Sequence, residues 1–261
     1  MNEPTALQIK VALLPSRLEL NQYVPQATAV VIDTLRFTTC AASALTAGAT
    51  SIHVEPSIER AIQRRASVPP PALLCGERHC RPIPGFDLGN SPAEYTPERV
   101  SGHALIFTTT NGTRAVEAVA NARCIYLACL GNRSAIAGAL LKHHHASAHP
   151  ILIICAGTEG EVAEEDVLVA GAILDAMNRS HECNTNDAGQ EAVELWRTTT
   201  RGLTDQEVIP EIVRLFRTTR GGRNLLRAGY EDDLWRAAQI DTLETTPVRS
   251  GGTTFFVNGE E

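Results

Sequence analysis

Four polar segments hold most of the side chains that could do chemistry, and each follows a short apolar run. The first is Asp33-Thr-Leu-Arg36, after Val30-Val-Ile. An aspartate at the end of a buried strand can be a metal ligand, a nucleophile or a helix N-cap. Arg36 beside it carries a rigid fork suited to carboxylate, phosphate or sulfonate. The second is Gly76-Glu77-Arg78-His79, which again sets a carboxylate next to a guanidinium. It runs into Gly85–Pro92, a stretch dense in turn formers and long enough to suggest a functional loop.

The third segment, Thr108-Thr-Thr-Asn111-Gly112-Thr113-Arg114, offers hydroxyls, an amide and a glycine at a helix start, the makings of a phosphate cradle or of a well-capped helix. The Lys and glycine spacing of a Walker A loop are missing, which argues against NTPase chemistry. The fourth, Gly157-Thr158-Glu159-Gly160, lets main chain approach a ligand closely and leads into Glu164-Glu165-Asp166. For Glu164 the expectation is simple complementation of the helix dipole; Glu165 and Asp166 stay open.

Something must position these four segments. Apolar runs predict strands over 9–14, 29–32, 51–54, 72–75, 104–107, 124–128 and 150–155, with amphipathic helices between them over 36–47, 56–65, 113–122, 133–143 and 164–178. Near-continuous runs such as Ile151-Leu-Ile-Ile154 indicate burial on both faces, hence a mostly parallel sheet and an α/β fold. Ligands in such folds bind beyond the carboxyl ends of the strands, where all four segments sit. From 180 to 189 the chain is polar and reads as an exposed excursion. Helices over 190–198, 205–216 and 231–238 then make the C-terminal part helix-rich, with a last strand over 253–257. One domain spanning 1–261 is expected, with a possible change of lobe near 180–205 and candidate hinges at 200–203 or 220–223.

Composition excludes several classes. The chain has 261 residues, 43% of them hydrophobic, with a formal net charge of −7, so it can build a large core but lacks the basic face of a nucleic-acid binder. No apolar run approaches the length needed to span a bilayer, and the first seven residues lack signal-peptide features. The seven cysteines show no C-x-x-C spacing, so a reduced cytoplasmic setting is expected. Adjacent histidines at 143–145 point in different directions on a helix and cannot share one ion. No G-x-G-x-x-G follows the first strands, which argues against a dinucleotide-binding oxidoreductase. A homodimer is the default expectation for an enzyme of this size.

Taken in order, VVIDTLRFTT (30–39), GERHCRPIPGFDLGNSP (76–92), TTTNGTRAV (108–116), CAGTEGEVAEEDVLVAGAILD (155–175) and GRNLLRAGYEDDL (222–234) resemble the 2-phosphosulfolactate phosphatase family. That resemblance implies a three-layer α/β/α fold and a Mg²⁺-dependent hydrolase converting (2R)-2-phospho-3-sulfolactate to (2R)-3-sulfolactate, a step of coenzyme M biosynthesis in methanogens. It implies Mg²⁺ on Asp33, Glu77 and Asp166. The small anionic ester would meet Arg36, Arg78, Arg114 and Arg223, would be oriented by Thr110, Asn111, Gly112 and Thr113, and would be approached by Gly157, Thr158 and Glu159. Asp33, Glu77, Asn111 and Asp166 are the expected catalytic residues. Attack by metal-activated water is favoured over a phosphoaspartate on Asp33, because no Asp-x-Asp pair accompanies it. Two departures stand out: His79-Cys80 replaces an expected Asn-Gly turn, which could reshape the pocket rim, and 180–186 is a local excursion. The alternatives are a phosphatase of another small 2-phospho-acid and a non-catalytic anion-binding protein.

Overall fold

The computed structural model of the chain describes residues 7–16, 23–147, 149–250 and 254–259. Its first half alternates as predicted: β1 (Leu7–Ala12), β2 (Thr28–Ile32), α1 (Phe37–Thr46), β3 (Ser51–Val54), α2 (Ile58–Ser67), β4 (Ala72–Arg78) and β5 (Arg81–Pro82). Then come α3 (Pro97–Val100), β6 (Ala104–Thr108), α4 (Gly112–Ala118), β7 (Cys124–Ala128), α5 (Arg133–Ser147), β8 (Ile151–Cys155) and α6 (Glu164–Asn178). The remainder is β9 (Cys183–Thr185), α7 (Asp187–Thr200), α8 (Asp205–Thr218), α9 (Arg220–Ala228), α10 (Glu231–Ala237), β10 (Pro247–Ser250) and β11 (Phe255–Asn258).

The strands β2, β7 and β8 are buried at every position, which is why their sequences are apolar without alternation. They form one parallel group in the order β9-β1-β8-β2-β7, and Val31 pairs with Ile154 on one side and Leu127 on the other. A second parallel group, β3-β6-β4, is joined to it by the β10–β11 hairpin, which is antiparallel to both flanking strands. Three antiparallel steps in succession mean that the two parallel groups run in opposite directions.

Helices cover both faces. Val30 and Ile32 point to the side of Ile136 and Leu140 of α5, Leu168 and Ile173 of α6, and Trp196 of α7. Ala29 and Val31 point the other way, onto Phe37 and Ala41 of α1 and Val116 of α4. That second core also contains Ile52, Leu105 and Phe107 of the other parallel group, so the two groups fold over shared helices. The Phe37 and Phe107 rings meet edge-on at 5.4 Å, and Tyr95 stacks on Phe107 at 5.5 Å. This shared core brings the carboxyl ends of β2 and β8 to those of β4 and β6.

The C-terminal part differs from expectation in two places. The 180–189 stretch is not simply an excursion: Cys183–Thr185 adds a parallel edge strand to Leu7–Ile9. The Asn186 side chain completes the edge by accepting from Val11 N–H at 2.9 Å and donating to Val11 C=O at 3.0 Å. The glycine pair read as a hinge at 220–223 forms the first turn of α9, capped by the Thr219 hydroxyl. Ile212 and Phe216 of α8, Leu225 of α9 and Leu234 of α10 join the same core as α5 and α6. The predicted strand over 253–257 appears as Phe255–Asn258, with residue 253 outside the described residues. The 1–7 stretch read for a leader falls largely outside them too, as do the side chains of residues 144 and 145; His143 bonds the Tyr126 hydroxyl. No helix among the described residues is long and apolar enough to cross a membrane.

Candidate active site

A cavity of about 210 Å³ opens where the strand ends meet, and Asp33, Glu77, Thr110, Asn111, Thr158 and Glu159 all line it. Thus one residue or more from each of the four polar segments reaches the same space. Two wider clefts lie elsewhere, but neither gathers these strand-end residues.

Asp33 follows β2 and is almost fully buried. Its carboxylate accepts the main-chain N–H groups of Phe37, at the start of α1, and of Gly112, at the start of α4. It therefore caps a helix and faces the cavity at once. Burial, with the charges of Glu77 and Glu165 close by, outweighs these donors and pushes its pKa up to about 7. Gly112 is required here by proximity: a Cβ would fall 2.5 Å from Asp33 Oδ2 and 2.5 Å from Phe37 Cδ1.

Glu77 at the end of β4 is fixed by both oxygens. Oε1 accepts from Thr110 N–H at 3.0 Å and from the Thr110 hydroxyl at 2.9 Å, and Oε2 accepts from Cys80 N–H at 2.9 Å. Asn111 Oδ1 accepts from Glu159 N–H at 3.3 Å, tying the third segment to the fourth.

The family model for 2-phosphosulpholactate phosphatase matches residues 13–252. A probable 2-phosphosulfolactate phosphatase of Symbiobacterium thermophilum is 41% identical over 226 residues, covering 86% of this chain and 91% of that protein. Proteins of the same description from Deinococcus radiodurans and a Synechococcus strain are each 36% identical, covering 92% and 93% of this chain and 92% and 96% of their own lengths. The chain belongs to the 2-phosphosulpholactate phosphatase family.

Other expected site residues are placed differently around this cavity. Asp166 lies behind the cavity wall, where Oδ1 accepts from Thr34 N–H at 2.8 Å and Oδ2 from Gly157 N–H at 3.0 Å. Burial, followed by the charges of Asp33 and Glu165, holds its pKa well above the ordinary carboxylate range. Asp166 thereby fastens the loops after β2 and β8 to each other, and Gly157 acts through that bond. Arg36 does line the cavity, but its charge is committed: Nη1 pairs with Asp233 at 2.7 Å, Nη2 donates to Cys80 C=O at 3.0 Å, and the guanidinium lies over the Tyr230 ring.

Arg78 spends its donors on Glu77 C=O at 2.7 Å and on Thr108, through C=O at 3.1 Å and the hydroxyl at 2.9 Å. Thr113 is buried, its hydroxyl accepting from Thr109 N–H at 3.0 Å. Arg114 is exposed, and none of Arg78, Thr113 and Arg114 lines the cavity. Arg223 is exposed as well, donating to Thr218 C=O.

Several lining or adjacent residues are given no site role by sequence, Glu165 among them, which the sequence leaves open. Asn90 lines the cavity with a buried Oδ1 that has no partner among the described residues. Gly221 and Asn224 of α9 close the opposite wall. Glu165 is the most telling. It is buried beside Thr158 and Gly221, burial raises its pKa, and its Oε2 lacks a partner among the described residues. A Cβ on Gly221 would come within 2.1 Å of its Oε1, which explains why α9 begins with small residues. The usable signal was the contrast between Glu164 and Glu165: only the second falls on the buried face of α6.

Proposed function

We propose that the chain hydrolyses (2R)-2-phospho-3-sulfolactate to (2R)-3-sulfolactate and phosphate with Mg²⁺ at the Asp33–Glu77 end of the cavity. The observation that carries the reading is the excess of negative charge there. Asp33 and Glu77 face the cavity, Glu165 lies just behind it, Glu159 at the wall is paired with Arg220, and the one guanidinium at the wall, Arg36, is already paired with Asp233. Such a site repels a multiply charged anion unless a cation enters with it, and burial together with the Glu77 and Glu165 charges already raises the Asp33 carboxyl to about 7.

The donor set suits Mg²⁺. It takes oxygen ligands, often only one or two carboxylates completed by water and a substrate phosphate. Among the described residues no group of three His, Cys, Asp or Glu side chains converges to hold a metal ion. Asp33 and Glu77 would hold the ion, with Glu165 in reserve behind them, and Asp166 would position the loop that carries Asp33. When bound, Mg²⁺ would polarise the phosphoryl group and lower the pKa of an attacking water.

The side chains would do the rest by positioning. Phe37 and Gly112 N–H groups fix the Asp33 carboxylate, and Thr110 fixes Glu77, so neither must reorganise as charge develops. Asn111 and Thr158 line the cavity and would orient the ester. Phosphate release from 2-phospho-3-sulfolactate, with Mg²⁺ and then with a chelator, tests the reading beside phospholactate. Metal-dependent turnover favouring the sulfonated ester supports it. Turnover of phospholactate alone moves the substrate to another 2-phospho-acid, and release from neither favours a non-catalytic anion binder.

A further inference from the structure

The β4–β5 hairpin turns through only two residues, His79 and Cys80, because Arg78 pairs directly with Arg81. Both turn residues have positive φ, 52° and 63°. That is the pattern of a type I′ turn, whose usual occupants are Asn and Gly because side chains with a full Cβ are disfavoured in the left-handed region. His-Cys is thus a strained choice at a position where the fold alone would select otherwise. Both residues line the cavity, and strain held at a binding site is a pointer to function.

The turn is also wired into the site. Cys80 N–H donates to Glu77 Oε2 at 2.9 Å, and Cys80 C=O accepts from Arg36 Nη2 at 3.0 Å, so the hairpin tip links the carboxylate to the buried guanidinium. Cys80 packs partly against the larger core and anchors the turn. His79 does not; it is exposed, and its ring has no hydrogen-bond or ion-pair partner among the described residues. Of the two basic side chains lining the cavity, Arg36 is already engaged, which leaves the His79 ring as the one with unused donors.

We propose that His79 determines specificity by donating from its imidazole to the second anionic group of the ester, the sulfonate, while the phosphate sits at the Asp33–Glu77 end. This rests on the function proposed above. The test uses His79→Asn, which removes the imidazole at a φ that Asn tolerates, and His79→Gly, which removes the side chain altogether. Two readouts are taken: the kcat/KM ratio of phosphosulfolactate to phospholactate, and the rise in Tm caused by 3-sulfolactate.

Both variants are expected to lower the ratio by about tenfold, the loss falling on KM more than on kcat, and to abolish most of the Tm rise, while their own Tm stays level or climbs by about 2–4 °C as strain is relieved. An unchanged ratio in the His79 variants overturns the inference. If the wild type hydrolyses neither ester, the proposed function fails on its own, and the ligand-induced Tm rise still decides: no rise in the wild type, or an equal rise in the variants, rejects the role of His79.

Discussion

Replacing Gly112 by alanine should damage the site through one misplaced methyl group. The added Cβ would fall 2.5 Å from Asp33 Oδ2, 2.5 Å from Phe37 Cδ1 and 2.9 Å from Phe37 Cβ. Neither neighbour can swing away. Phe37 is fully buried and packed edge-on against Phe107, and Asp33 is held by two main-chain donors. Overpacking of this kind costs about 1–3 kcal/mol. Alanine gains back up to about 1 kcal/mol of helix propensity at the start of α4. With the whole gain realised the net loss is about 0–2 kcal/mol, which lowers Tm by up to roughly 8 °C in a chain of this size.

Relief of the contact must move Asp33 by several tenths of an ångström or more, and misplacement of a catalytic group by about 1 Å can cost roughly a hundredfold in rate. Gly138→Ala is the control: it lies within α5 with nothing within 4 Å of the added Cβ, so the same chemical change should raise stability by roughly 0.5–1 kcal/mol and leave turnover alone. Thermal melts and steady-state phosphate release on both variants check the pair. Wild-type turnover and an unshifted Tm for Gly112→Ala would refute the close packing of α4 on Asp33.

Three further outcomes follow from the charges. Asp33 titrates at about 7, and Glu165 and Asp166 also lie above their ordinary range, each chiefly through burial. The native state therefore holds more protons than the unfolded state between about pH 4 and 7, so metal-free stability should fall as pH rises through that window. Mg²⁺ should accordingly raise Tm more at about pH 8 than at about pH 5, as melts across a pH series would show. Asp233→Asn breaks the buried pair with Arg36 and should cost about 3–5 kcal/mol in denaturant unfolding, because the guanidinium remains without its counter-charge. Arg114→Ala, on an exposed side chain away from the cavity, should leave KM within about twofold of wild type in steady-state assays.

The strands and helices that carry the site were legible because burial on both faces writes unbroken apolar runs, as in Ile151–Ile154. The strand-end position of Asp33 and Glu77 followed from that pattern. What the sequence hid has physical causes. Cys183-Asn-Thr185 is a short, half-exposed edge strand with no periodicity long enough to register, its end tied down by one asparagine side chain. Gly221-Gly222 reads as a helix breaker until the Glu165 carboxylate pressed against Gly221 is known. The opposed running of the two parallel groups depends on a hairpin that lies far along the chain from both β7 and β3, and no local pattern encodes that. The arginines misled most. Arg36 looked like an anion fork, yet its partner Asp233 lies 197 residues away in the chain; Arg78 was claimed by the main chain of Thr108. Residue type announces a guanidinium, whereas its commitment is decided by tertiary contacts.

The most direct test is Asp33→Asn, assayed for phosphate release with Mg²⁺ present and melted without it. A loss of at least about a thousandfold in kcat is expected, with the metal-free Tm close to wild type near neutral pH, because a neutral amide relieves a carboxyl that burial already disfavours in its charged form. A folded Asp33→Asn protein that turns over phosphosulfolactate at the wild-type rate would contradict the role proposed for Asp33.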